Sequence, residues 1–315
     1  RTFAPRCLCL DIETAANDAL ALHKFAAWRP DTQQSIFLGA SQIGAALAQI
    51  DALTEGAAFV VGHNIVRHDL PTLAKLFPDL RLNPLPTVDT LELSPLAFPA
   101  NPYHSLVKDY KLVRDSRSDP LKDAQLSFKL WADQHDAFAA LQESSPDELA
   151  CHHFFLSRAG RSGLGSFFAN IRESMPPKVD EIRRMLPALL LNKVCPNHLP
   201  QVLDEALTDS EAGQSFSYVL AWLRVSGGNS VLPPWVRLQF PGTSRQIRQL
   251  RESPCADANC PYCSLYLDPC KELERYFGYA TFRAEPKNPA GGSLQEDIVR
   301  AGYSGESLLA ILPTG

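Results

Sequence analysis

The sequence lacks any uninterrupted apolar stretch long enough to span a bilayer, and it has no charged leader followed by an apolar segment. Both absences favour a cytoplasmic protein without a membrane partner. Internal repeats and low-complexity tracts are also missing. Of 315 residues, 45% are hydrophobic and 21% charged, which excludes a disordered or fibrous chain and predicts more than one globular domain.

The sequence also has no excess of positive charge. The formal net charge is -5, so the chain as a whole does not attract nucleic acid. Basic side chains nevertheless recur in its middle: Arg158, Arg161, Arg172, Lys178, Arg183, Arg184, Arg245, Arg248 and Arg251. They are either a local nucleic-acid surface or solvated helix faces.

The first 140 residues alternate between strand and helix patterns. Short apolar runs predict strands at 7–11, 23–28, 35–38, 58–62 and 86–91, with the last leaving the sheet. Helical spacing predicts helices from residue 43, from Asp69 and over 121–131, the last with Asp119-Pro120 at its start. These elements predict an α/β domain, a mixed sheet with flanking helices, over residues 1–140.

Beyond residue 140 the pattern becomes mostly helical, with proline-punctuated helices at 180–191, 199–207 and 217–225. We expect a helical connector domain at 141–250, a cysteine-rich metal-binding segment at 251–275 and a further element at 276–315. Because the chain begins with Arg and ends in an apparent motif, we interpret it as an excised fragment.

Four acids stand in an order that suits two-metal phosphodiester hydrolysis: Asp11, Glu13, Asp69 and Asp123. Asp11 and Glu13 are two residues apart at a strand end, so they share one face. Two divalent ions about 4 Å apart activate water and neutralise the leaving oxygen. Carboxylate ligands favour Mg²⁺ or Mn²⁺. The alternative is that these acids cap helices or lie on the solvated surface.

These motifs resemble those of the DnaQ-like, or DEDD, 3′-5′ exonucleases, which have an RNase H-like fold, over residues 5 to about 135. The resemblance implies that the four acids are metal ligands and that the substrate is a 3′-terminal nucleotide. The matching segments are Asp11-Ile-Glu13-Thr, Gly62-His-Asn64 through Asp69, Tyr103-His104-Ser-Leu106 through Tyr110, and Asp123-Ala124.

One departure concerns the general base. The family's histidine and tyrosine positions, five and four residues before the last acid, are Ser118 and Asp119 here. A missing base costs about 10²- to 10⁴-fold in rate. His104 and His68 are the substitutes to test. The alternative function is a catalytically weak module that binds single-stranded 3′ ends.

Four of the eight cysteines lie close together in the sequence: Cys255, Cys260, Cys263 and Cys270. A cytosolic chain has little use for disulfides, so this density predicts a shared metal. Four thiolates suit a structural Zn²⁺ ion, and the spacing also fits an iron-sulfur cluster. Cys195 and His198 are interpreted as unrelated to the set, and the alternative is that they add ligands if they fold nearby.

Residues 274 to 315 resemble the entry to a RecQ-like superfamily 2 helicase, on Phe277-Gly-Tyr279, Phe282-Arg283, Gln295 and Pro313-Thr-Gly315. The resemblance implies that Gln295 contacts adenine. The loop lysine would lie beyond Gly315, so ATP is expected only in a full-length protein. A generic helix and strand is the alternative.

Together these observations predict the N-terminal part of a nuclease-helicase. Its exonuclease domain is expected to act on single-stranded or 3′-ended DNA, in DNA repair or in defence against foreign DNA, with the helicase domain in cis.

Overall fold

The computed structural model describes residues 5–15, 17–101, 104, 119–158, 162–225, 231–304 and 307–310. The chain divides into two compact units. Unit 1 comprises residues 1–178 and 220–235, and unit 2 comprises residues 179–219 and 236–315. The sequence-based domain limits stay predictions, although residue 140 lies within a continuous helix.

Unit 1 contains a mixed sheet, and its five described strands are ordered β3-β2-β1-β4-β5. β1 and β3 flank β2 and are antiparallel to it, whereas β4 is parallel to both β1 and β5. The predicted hairpin and the predicted α/β class are therefore confirmed, and β5 is part of the sheet. The strands are β1 Cys7–Ala15, β2 Asp18–Trp28, β3 Ser35–Gly39, β4 Phe59–Gly62 and β5 Thr87–Asp89.

Central strand β1 separates apolar from acidic side chains by its alternation. Leu8, Leu10 and Ile12 are buried in an apolar core on one face. The opposite face carries Cys7 and Cys9 and then the half-buried Asp11 and Glu13. A register shift in the pairing with β2 begins immediately after Glu13. Both acids therefore lie at the end of the regular part of the strand.

Helices pack on the sheet of unit 1. Those before residue 100 are α1 Ala40–Ile43, α2 Leu47–Thr54, α3 Asp69–Leu76 and α4 Thr90–Ala97, with a 3₁₀ turn at Gly44–Ala46 between the first two. They are followed by α5 Pro120–Ser144, α6 Pro146–Arg158 and α7 Ser162–Arg172. The predicted starts of α3 and α5 are confirmed.

Helix α5 places Asp123 beside the sheet. Its N-cap is Asp119, whose carboxylate accepts hydrogen bonds from the backbone of Leu121 and Lys122. A buried stripe along the helix faces β1, β2 and β4, and Trp131 in it packs edge-on against Phe59 of β4. Asp123 lies in the first turn of the same stripe.

Helix α7 approaches β5 very closely at Gly163. A Cβ atom at this position would lie 2.0 Å from the carbonyl oxygen of Thr87. No side chain fits in that space, so the contact between α7 and the edge strand depends on glycine.

Unit 2 is helical in its described part. Its helices are α8 Val179–Leu189, α9 Leu199–Thr208, α10 Ser210–Arg224, α11 Pro234–Gln239, α12 Pro241–Ile247, α13 Pro261–Tyr266, α14 Pro269–Phe277 and α15 Leu294–Tyr303. α10 and α11 each cross a limit between the units. A π-helical turn, Arg248–Glu252, follows α12. The helices predicted at 180–191, 199–207 and 217–225 are confirmed as α8, α9 and the second half of α10.

Two segments that carry the family resemblances fall outside the part of the chain that the structure describes. The segment from Tyr103 to Tyr110, apart from His104, lies outside the described residues, as does Pro313-Thr-Gly315. Residues 307–310 are described and are not in a strand. No helix in the described part of the chain is both long enough and apolar enough to cross a membrane.

Candidate active site and cysteine group

Three carboxyl groups converge at the end of β1. Asp11, Glu13 and Asp123 each have an oxygen atom within 4.8 Å of the other two. β1 places the first two on one face, and the first turn of α5 brings the third across from the helix. Asp123 is buried, and Asp11 and Glu13 are half-buried. We call these residues the acidic triad.

The acidic triad has the chemistry and dimensions of a site for a hard divalent cation. Oxygen ligands of such a cation, each about 2.1 to 2.4 Å from it, are about 3.0 to 3.4 Å apart when adjacent and about 4.2 to 4.8 Å apart when opposite, so oxygens that all lie within 4.8 Å of one another can share one cation. At 4.8 Å, the upper limit of these spacings, two carboxylates without a cation repel each other by about 1 kcal/mol in water and by more in a half-buried setting. A bound cation turns this repulsion into attraction.

Asp69 lies beside the acidic triad without belonging to it. It is buried, and its Oδ1 accepts a hydrogen bond of 2.9 Å from the backbone N–H of Ile12. Burial raises the pKa of Asp69, and the neighbouring His68 opposes that rise. Because Ile12 lies between Asp11 and Glu13, Asp69 holds the strand backbone between the two acids. Its predicted role as a metal ligand stays a prediction.

His68 is the titratable base that the structure places near these acids. Its Nδ1 is 3.5 Å from Asp69 Oδ2, and its Nε2 is 3.4 Å from Thr14 Oγ1. Asp69 raises the pKa of His68 by hydrogen bonding, and the charges of Asp11 and Glu13 add to the rise. The imidazole is 41% exposed, so a substrate can reach it.

His104, the other candidate base, is placed differently. It is buried, and burial lowers its pKa. Burial, with a smaller effect of the nearby His104, lowers the pKa of His63 to about 4. His63 Nδ1 is 3.0 Å from Thr90 Oγ1. His104 therefore neighbours His63, and Ser118 lies outside the described residues.

Sequence reasoning gave Asp89 no role, yet it fixes the Gly62-His-Asn64 loop. Its carboxylate, at the end of β5, accepts hydrogen bonds from the backbone N–H groups of Asn64, Val66 and Leu91. Asn64 has a φ of 62°, which asparagine tolerates better than most residues. Burial, with the nearby Glu92 charge, raises the pKa of Asp89 to about 7. An acid before a helix start is a capping signal that could have revealed it.

Four cysteines converge in unit 2, and their sulfurs all lie within 4.8 Å of one another: Cys195, Cys255, Cys260 and Cys263. We call them the cysteine group. Cys263 Sγ is 3.7 Å from the sulfurs of Cys195 and Cys255, and Cys195 Sγ is 3.8 Å from Cys260 Sγ. All four are free thiols, because a disulfide requires about 2.05 Å. The group can hold a metal ion.

The membership of this group differs from the set of four cysteines expected from the sequence. Cys270, expected as the fourth member, lies in α14 and is not part of the group. Its electrostatic neighbours are Glu296 and Asp268. Cys195, expected to be unrelated, takes the fourth place. Linear spacing favoured Cys270 because it lies seven positions after Cys263, whereas Cys195 precedes Cys255 by 60 positions.

Polar contacts surround the cysteine group. Asn197 Nδ2 lies 3.2 Å from Cys255 Sγ and donates to it. Burial acts to raise the pKa of the Cys255 thiol, but this amide and other hydrogen bonds outweigh burial and lower the pKa to about 7. The backbone N–H of Cys195 donates to the Leu250 carbonyl oxygen in the π-helical turn, at 2.8 Å. The thiolate form of Cys255 is therefore accessible near neutral pH.

The other predicted functional residues are spread over the chain. Gln295 lies in the first turn of α15 and is half-buried, and its contact with adenine stays a prediction. Arg183 pairs with Asp204 and Arg245 with Glu205 on exposed helix faces of unit 2. Those two pairs agree with the solvated-face interpretation of the basic residues.

Comparison with protein-family models, with curated proteins and with solved structures gave no match.

Proposed function

We propose that unit 1 is a divalent-cation-dependent 3′-5′ exonuclease acting on DNA, of the DnaQ-like type with an RNase H-like fold. The observation that carries the proposal is the acidic triad, in which a strand and a helix separated by more than 100 residues bring three carboxylates within 4.8 Å. The mixed sheet with helices packed on it supports the fold.

Each residue has a defined task in this proposal. Asp11, Glu13 and Asp123 would hold Mg²⁺ or Mn²⁺, which would supply a more acidic water and neutralise charge on the leaving oxygen. Asp69 keeps the two β1 acids in position through Ile12 N–H and is the candidate ligand for a second ion. His68 accepts a proton from water or orients it, because its partly exposed imidazole borders the acids.

The proposal that unit 1 is part of a nuclease-helicase rests only on the resemblance of residues 274–315 to a RecQ-like helicase. In the proposal unit 1 belongs to a nuclease-helicase with a RecQ-like part that uses ATP. The biological role is DNA repair or defence against foreign DNA.

The first test is cleavage of 5′-labelled single-stranded DNA by the purified chain with Mg²⁺ or Mn²⁺. We expect progressive shortening from the 3′ end. Asp11→Asn should reduce it by at least about 100-fold, because a cation supplies several kcal/mol of transition-state stabilisation. Asp18→Asn is the matched control, since Asp18 is exposed at the start of β2, and it should cleave normally.

A second candidate function is favoured by the position of Asp69 outside the acidic triad, because the three acids of the triad suffice for one cation and two-metal cleavage needs a second. In that case unit 1 binds 3′ ends and does not cut them. Binding that persists in chelator, weakens with salt and is accompanied by no shortening would replace the nuclease proposal with this one. Absence of both binding and cleavage would contradict both.

A further inference from the structure

We propose that Cys195, Cys255, Cys260 and Cys263 bind one structural Zn²⁺ ion, with Cys195 as the ligand from outside the cysteine-rich segment. This site lies in unit 2 and is independent of the proposed nuclease reaction. The sulfur positions, the composition of the surrounding core and the contacts that fix the two loops carry the inference.

The sulfur-sulfur distances are those of a tetrahedral zinc site. Zinc-thiolate bonds are about 2.3 Å long, and the edge of a regular tetrahedron is 1.63 times its centre-to-corner distance, which gives about 3.8 Å. Three of the six sulfur-sulfur separations are 3.7, 3.7 and 3.8 Å, and all six are within 4.8 Å. Four thiols pack to this spacing without bonding to one another, so a single ion fits at their centre.

The same distances argue against a multi-iron cluster. In an iron-sulfur cluster the cysteines bind different iron atoms of a larger core, so they cannot all surround a single ion. Here all four sulfurs lie within 4.8 Å of one another. The space between them suits one ion.

The core around the group is too small to fold this segment unaided. Its buried members are Cys195, Cys260 and Tyr262, and the partly buried side chains packed on them include two more of the four thiols. A core composed largely of the thiols themselves buries little apolar surface. Metal binding therefore supplies the folding free energy that apolar burial does not.

Hydrogen bonds hold two of the four proposed ligands, Cys195 and Cys255, in place. The Leu250 carbonyl oxygen holds the Cys195 backbone, and Asn197 donates to the Cys255 sulfur, as neighbours of bound thiolates do. Arg251, in the same turn as Leu250, donates from Nε to the Tyr262 hydroxyl between Cys260 and Cys263. The π-helical turn thus contacts both sides of the group, and π turns often mark functional sites.

The test compares zinc content in two matched variants, Cys195→Ser and Cys270→Ser, both made in the whole chain and measured by elemental analysis. We expect one zinc per chain in the wild-type protein and in Cys270→Ser, and at least a tenfold loss in Cys195→Ser. Unchanged zinc in Cys195→Ser, or loss in Cys270→Ser, would overturn the assignment. Iron in place of zinc, or acid-labile sulfide, would overturn the identity of the metal.

A measurement on the wild-type chain covers the case in which Cys195→Ser does not fold. Native protein is alkylated with iodoacetamide before and after zinc is removed by a chelator, and the modified cysteines are identified by mass spectrometry. Cys270 should react at both stages, because it is partly exposed and unliganded. Cys195, Cys255 and Cys263 should react only after chelation. Reaction of Cys255 and Cys263 before chelation, or protection of Cys270, would contradict the proposed ligand set.

Discussion

At the residue scale, the acidic triad predicts that the stability of the folded chain depends on divalent cations. A cation that binds the folded state alone stabilises it by about 2.7 kcal/mol at 100 times its dissociation constant. We expect Mg²⁺ or Mn²⁺ to raise the melting temperature of the wild-type chain, and to raise that of Asp123→Asn much less. Differential scanning calorimetry with and without the cation measures the difference.

Asp133→Asn is the control for that experiment, because Asp133 is exposed on the same helix. It should respond to the cation as the wild-type chain does. In the absence of a cation Asp123→Asn should be at least as stable as the wild-type chain, since removing one charge relieves repulsion within the triad. Equal cation responses in all three proteins would mean that the triad does not bind the ion.

Asp89 gives the folded state a distinct pH dependence. Its pKa of about 7 in the folded chain lies above the ordinary value of 3.8, so the folded state keeps a proton that the unfolded state loses. The stabilisation from this proton is complete below about pH 4 and is lost as the pH rises through 7. We expect the stability of the wild-type chain relative to Asp89→Asn to fall by about 2 to 3 kcal/mol between pH 5 and 8.

Urea unfolding at each pH gives the free energy of unfolding of the wild-type chain and of Asp89→Asn. Subtracting one from the other removes the contributions of the other titrating groups. A difference that is constant with pH would show that Asp89 titrates with an ordinary pKa. A difference that rises with pH would show that its three backbone hydrogen bonds outweigh burial.

At the element scale, the contact between α7 and β5 depends on Gly163. Gly163→Ala forces a methyl group toward the Thr87 carbonyl oxygen, so the helix must move away from the strand. We expect the free energy of unfolding to fall by about 3 kcal/mol, as in overpacked cores. Urea denaturation monitored by circular dichroism measures the change.

Gly44→Ala is the matched substitution in the same unit. A Cβ at Gly44 meets no atom within 4 Å, and the backbone there is right-handed helical, with φ -61°. Alanine should therefore leave stability unchanged or raise it by about 0.4 to 1 kcal/mol. If Gly44→Ala and Gly163→Ala lost similar amounts of stability, glycine would be needed at position 163 for backbone flexibility and not for the close contact with Thr87.

The elements themselves were largely predictable from the sequence. The short apolar run of β1 and the Asp119-Pro120 helix start are local signals, and both are confirmed. The end of α5 at Ser144 was not predicted, because helix propensity continues past the expected limit without a proline or glycine. The role of Asp89 was not predicted either, since its hydrogen bonds reach a loop about 25 residues earlier.

The two candidate sites differ in how far sequence could define them. Asp11 and Glu13 share a face because strands alternate, and Asp123 follows from the position of a helix start. The sequence offered Cys195 only as a possible additional ligand, since its membership depends on the tertiary packing that brings its loop to the Cys255–Cys263 segment. Asp69 was predicted with the acids, but its contact with the Ile12 backbone depends on how α3 packs beside β1.

At the scale of the whole molecule, the two candidate metal sites lie in different units. We expect a chelator that binds zinc and not magnesium to release the zinc while leaving Mg²⁺-dependent cleavage within about twofold of its starting rate. Zinc release and strand shortening are measured in the same sample. A loss of cleavage that parallels zinc release would show that the cysteine group supports the active site.

The order of the acids along the chain also has a consequence during synthesis. Asp123 leaves the ribosome 110 residues after Glu13 (123 - 13), which takes roughly 5 to 20 s at about 5 to 20 residues per second. Until α5 has emerged and packed on β1, the nascent polypeptide has two of the three triad carboxylates. A growing chain therefore has an incomplete acidic triad until α5 has emerged, and we expect cation binding at the triad to begin only after that point.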